Sequence, residues 1–158
     1  MTDAPLCETL LGFVRDIGVE IRPTRLETGF LPGLDIAGGA VLVDRDRLLY
    51  PGDILHEAGH LAVTAPEERS ASKLEPTPAD EMTAIAWSYA AALHLGIDPA
   101  HVFHAHGYKG GGPAILANFT AGHYFGVPLL ALYGMTVEPG RADANGPPPY
   151  PHMLRWLR

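Results

Sequence analysis

The chain has 158 residues, of which 47% are apolar and 18% charged, and its formal net charge is −7. That length suits a single domain spanning 1–158, and the apolar content is that of a globular chain rather than a disordered one. An acidic balance without any Lys/Arg cluster excludes a nucleic-acid footprint.

Residues 5–17 carry Leu6, Leu10, Phe13, Val14 and Ile17 at helical spacing before Gly18, which predicts a first helix. Cys7 lies in it as a core residue; as the only cysteine it permits neither an intramolecular disulfide nor a thiolate zinc site. Val19 to Arg22 alternates as a strand up to Pro23, and 29–39 is turn-rich, with Pro32-Gly33 and Gly38-Gly39. Segments 40–43 and 48–50 read as two short strands joined by the charged turn 44–47. The expectation is a small antiparallel sheet.

A helix follows over about 53–64, after the turn Pro51-Gly52-Asp53, and a proline-rich loop over 65–78. The next helix, 79–95, starts at Thr77-Pro78 and stops at Gly96. Met82, Ile85, Tyr89 and Leu93 form its expected core stripe, with Ala84, Ser88 and Ala92 as a small-residue side for close helix packing. Further helices are expected over 99–106 and 113–124, while 127–133 fits a buried helix or strand equally. Five prolines make 138–158 an irregular arm, and Trp156 and Leu157 imply that it docks. The N-terminus has no basic and apolar leader, and no apolar run reaches about 18 residues, so a cytoplasmic protein without a membrane span is expected.

The chemistry concentrates in His56-Glu57-Ala58-Gly59-His60, an HExxH pentapeptide on the 53–64 helix. Residues i and i+4 share a helix face, so His56 and His60 can offer two imidazole nitrogens to one ion. Glu57 flanks that face, where its carboxylate can take a proton from a water activated by the ion. Zinc sites that catalyse commonly use three protein ligands. A His at 66, as in HExxHxxGxxH, is ruled out because 66 is Pro and 63 is Val. A carboxylate from the 79–95 helix remains. Glu81 is preferred because it is in register with Ala84-Ile85-Ser88; Asp80 is its rival.

The stretch Leu55 to Ala62, followed by Asp80-Glu81-Met82-Thr83-Ala84, resembles the gluzincin branch of the zincin metallopeptidases. It is closer to the small minigluzincin forms, such as ImmA/IrrE-type peptidase domains, than to thermolysin-like enzymes. The resemblance covers about 53–93. It implies an α+β zincin-like fold, one zinc ion on His56, His60 and Glu81, Glu57 as general base, and a sheet edge on which an extended substrate lies. Where thermolysin-like members carry an Asp that orients a ligating His, this chain has Ile85. Asp53 or a backbone carbonyl is the substitute expected here.

No residue matches the His or Tyr that stabilises the oxyanion in larger relatives. His101, His104, His106, Tyr108, His123 and Tyr124 are the candidates, and the histidines among them could also hold a second metal. Gly110-Gly111-Gly112 lacks the ending of a phosphate loop and reads as a mobile edge of the cleft. The function expected is zinc-dependent hydrolysis of a peptide or protein substrate. The alternatives are a metal-stabilised regulatory or interaction module, with the C-terminal arm able to cover the cleft, and a hydrolase of non-peptide amides. Nothing in the residues fixes the oligomeric state.

Overall fold

The computed structural model describes residues 3–27, 29 and 31–158. Phe30, inside the turn-rich stretch, lies outside them. The described residues form an α+β arrangement of five α-helices and one three-stranded sheet.

Helix α1 (Ala4–Asp16) starts at Asp3, whose carboxylate accepts from the Leu6 N–H at 3.2 Å. Its buried face comprises Cys7, Leu10, Leu11, Phe13 and Val14, and burial pushes the Cys7 thiol up, away from thiolate chemistry. Strand β1 (Glu20–Pro23) follows. Strands β2 (Leu34–Ala37) and β3 (Ala40–Val43) form a hairpin across Gly38 and Gly39, whose φ of 58° and 79° supply the two left-handed positions of a tight turn. The sheet order is β1-β3-β2, with β1 parallel and β2 antiparallel to β3.

Two expectations are corrected here. The sheet is mixed rather than antiparallel, and the partner of 40–43 is 34–37, not 48–50. The charged turn winds back on itself, with the Leu48 N–H donating to Asp44 O, so Leu48 enters the core outside the three named strands. Strand β2 is an edge. Ala37 and Ala40 close the two-residue turn, so Ile36 directs its N–H away from β3, where the Asp35 carboxylate accepts it at 2.8 Å.

Helix α2 (Asp53–Val63) packs on β2, β3 and helix α3 (Pro78–Leu95). Thr77 and Asp80 cap α3 reciprocally, and Gly96 in the left-handed region ends it. α3 is buried on every side from Thr83 to Ala92, so its core is wider than a stripe; Met82 and Leu93 stay largely exposed. The small-residue side meets α2 at Gly59. A Cβ there would lie 3.1 Å from Ala84 O, Ser88 Oγ and Trp87 Cε3, so a larger residue would push the helices apart.

The helix expected over 99–106 is only a 3₁₀ turn (Pro99–His101), because the chain then turns to follow α2. α4 spans Gly112–Thr120, and the ambiguous apolar run is helix α5 (Val127–Leu132). The C-terminal arm docks through its aromatic residues. Trp156 packs edge-on against Phe13 and Trp87 and accepts the Trp87 indole N–H on its carbonyl at 3.0 Å. The Tyr150 hydroxyl donates to Ala86 O, and the Arg158 N–H to Ala62 O. No helix is long and apolar enough to cross a membrane.

Candidate metal centre

Helical spacing on α2 brings His56 and His60 together, with ring centroids 5.1 Å apart and a 47° tilt. One ligating atom from each of His56, Glu57 and His60 lies within 4.8 Å of the others, the only such group of three or more among the described residues. Both imidazoles are buried, and Glu57 is half-buried. The first turn of α3 adds Glu81, whose Oε2 comes within 3.4 Å of His60 Nε2. Asp80 is engaged elsewhere: its Oδ2 accepts from the Thr77 N–H and hydroxyl, both at 2.8 Å.

These groups line a cleft of about 200 Å³ with Asp35 and Ile36 of β2 and Lys73, Leu74 and Pro76 of the loop before α3. Its charges are unequal, with Asp35, Glu57 and Glu81 facing the single cation Lys73 among the lining residues. Burial, helped by the positive charge of His60, pushes His56 down to about 4 and leaves it a neutral imidazole. Burial also pushes Glu57 up to about 7; the charge of His60 opposes this, while Asp35, Asp53 and Glu81 add to it. Burial pulls His60 downward, but the Glu81 carboxylate outweighs it, so His60 is raised on balance. The approach of His60, against some burial, holds Glu81 below the usual carboxylate range.

Do these residues fit a metal ion? Neutral imidazole and carboxylate are the donors that zinc takes, and the excess of carboxylates favours a cation. Among the described residues the buried His60 Nδ1 meets no hydrogen-bond partner, and His60 Nε2 meets only Glu81, at a distance long for a hydrogen bond. An imidazole so short of partners is relieved by an ion on one nitrogen. The donor set fits.

No family model, no curated protein and no solved structure matches this chain. The assignment therefore rests on the chain's own residues.

Asp53 does not orient either histidine of the pair. Its Oδ1 lies 2.7 Å from His104 Nε2, because helix geometry turns it toward the 101–108 segment. Nor does any oxyanion candidate line the cleft. His101, His106 and His123 are exposed, His104 is held by Asp53, and Tyr124 belongs to an aromatic cluster with Tyr89, Phe119 and Tyr150. Tyr108 comes nearest. Its ring stacks on His56 with centroids 4.5 Å apart and 13° between planes, but its buried hydroxyl lies beside Ser88 and is not among the groups that line the cleft. The Ser88 proton is directed to Ala84 O and Leu55 O.

Sequence reasoning missed Asp35 and Lys73. Neither belongs to a motif, and both reach the cleft through the course of the chain. The only signal available was the position of Asp35 between two apolar residues on what proves to be an edge strand.

Proposed function

We propose that the protein is a zinc-dependent hydrolase of peptide bonds on a zincin-like frame of the small gluzincin type, with His56, His60 and Glu81 as ligands. One observation carries this reading: ligating atoms of His56, Glu57 and His60 lie within 4.8 Å of one another, and the Glu81 carboxylate of a second helix comes within 3.4 Å of His60. A bound zinc ion would supply Lewis acidity and a lowered water pKa of about 7. Glu57 accepts a proton from the attacking water and returns it to the leaving amine, a task suited to a carboxylate held near neutrality. Lys73, on the cleft wall, is the cation available to the developing oxyanion. An extended substrate in the cleft lies along β2, taking the Ile36 N–H from Asp35. A peptide or protein in the cytoplasm is the substrate class proposed, in keeping with the single thiol.

Metal analysis of chelator-free protein and a peptide-library digest test the reading. One zinc per chain is expected, with cleavage by the wild type and none by Glu57→Gln, which keeps its zinc. Protein without stoichiometric metal overturns the proposal.

A quieter metal-stabilised interaction module is the second reading, favoured by the absence of His101, His104, His106, Tyr108, His123 and Tyr124 from the cleft wall. Among the described residues none of 138–158 lines this cleft, but Arg158 of the arm lines the adjoining cavity, which shares His60, Lys73, Leu74 and Pro76 with it. Zinc without cleavage of any peptide would select the module, and cleavage of simple amides alone would select a non-peptide hydrolase.

A further inference from the structure

The segment from His101 to Tyr108 follows α2 and touches it at three successive places. At Gly52 the backbones nearly meet: a Cβ there would lie 1.9 Å from the His101 carbonyl oxygen. One residue on, Asp53 takes the His104 ring. His104 Nδ1 accepts from the His106 N–H, so Nε2 carries the proton and donates it to Asp53. One turn further, Tyr108 lies flat on His56. Gly112 pins the segment from its other end, where a Cβ would sit 2.3 Å from His104 O.

The strap ends in an unusual backbone. Tyr108 and Lys109 both have positive φ, 54° and 56°, followed by Gly110 at 84°. Two consecutive non-glycine residues in the left-handed region are costly and persist only where surrounding contacts hold them. Here the bend returns the Tyr108 ring to α2, between His56 and Phe103, on which it also stacks.

Metal-binding histidines usually have their orientation fixed by a hydrogen bond from the second ring nitrogen. The His56 ring makes no hydrogen bond among the described residues, and the expected Asp53 is turned to His104. A flat ring contact is the restraint that remains. We infer that Tyr108 is a positioning residue for the metal centre: its ring, set by the strap, holds the His56 imidazole where its nitrogen converges with that of His60 and with the Glu57 carboxylate. The hydroxyl takes no part. This rests on the metal-site reading given above.

The test uses the full chain, stripped with chelator and refilled with Co²⁺ or Zn²⁺, as wild type, Tyr108→Phe, Tyr108→Leu and His104→Ala. Zinc affinity is measured by competition with a chromophoric chelator, coordination geometry by the Co²⁺ d–d spectrum, and folding by thermal melting of the metal-free forms. Tyr108→Phe keeps both affinity and spectrum. Tyr108→Leu loses about 10-fold in affinity, within the range for groups that orient ligands, and shifts the Co²⁺ bands. His104→Ala, which frees the strap but leaves the ring in place, moves both readouts the same way by less. If Tyr108→Leu does not fold, His104→Ala against Tyr108→Phe decides. Wild-type affinity and spectrum in every folded ringless or strap-released variant would overturn the inference, as would a loss in Tyr108→Phe equal to that in Tyr108→Leu. Wild-type protein that takes up neither ion overturns the metal reading itself, a result distinct from these.

Discussion

The two walls of the candidate metal cleft are built differently. On the α2 side, His56 and His60 are buried, backed by the close α2–α3 contact at Gly59 and by the strap that carries Tyr108. On the opposite side Glu81 is 44% exposed along its side chain, and Lys73 belongs to an irregular loop. One wall is fixed by packing before any ligand arrives; the other consists of long side chains that can still adjust. Two imidazoles on the fixed wall would set the geometry for a bound ion, and a carboxylate on the adjustable wall could close around it.

This contrast can be broken at several points. The largest effect is expected for His60→Ala, which should abolish stoichiometric zinc while the metal-free chain stays folded. Glu81→Gln should weaken zinc yet retain it, and equal losses in the two variants, measured by metal analysis, would show the walls to be equivalent. Next comes Gly52→Val. With the His101 carbonyl 1.9 Å from any Cβ, the strap must move, at a cost of about 3 kcal/mol in urea unfolding.

A pH series on metal-free protein tests the buried acid. Folded Glu57 keeps its proton to about pH 7 instead of the usual 4.5, so in that window the folded chain binds more protons and stability falls as pH rises. His56, pushed from 6.5 to about 4, acts oppositely between those values. Glu57→Gln removes the first slope and keeps the second. Its Tm should climb from pH 4 to 6.5 more steeply than that of the wild type, and parallel profiles would deny Glu57 its buried character. The smallest effect belongs to Asp80→Ala, which should cost about 1 kcal/mol through the lost helix cap and leave zinc affinity unchanged.

Local signals explain what the sequence made visible. α3 starts at a capping box and stops at a glycine, and α2 follows the Pro51-Gly52 turn without a side-chain cap, so their limits, and the shared face of His56 and His60, follow from neighbours a few positions apart. β2 escaped notice because four residues between glycines, one of them Asp35, carry too little pattern. Leu48-Leu49-Tyr50 looked like a strand because apolar runs say nothing of pairing. The helix expected after Pro99 gave way to the strap, whose course is set by α2, about fifty residues earlier in the chain. For the same reason the histidines between 101 and 106 resembled site residues on paper. Their partners, Asp53 and Tyr50, can be found only in three dimensions.

The Asp35 carboxylate on the Ile36 N–H has a consequence for self-association. A sheet edge left open for a guest strand is equally open to the edge of another copy, and unguarded edges seed aggregation. By occupying the donor of its own strand, Asp35 makes any newcomer displace a hydrogen bond and lie against a negative charge near Glu57. A second copy of β2 would bring another Asp35 to the same place and be repelled, whereas a chain without an acid at that position would not.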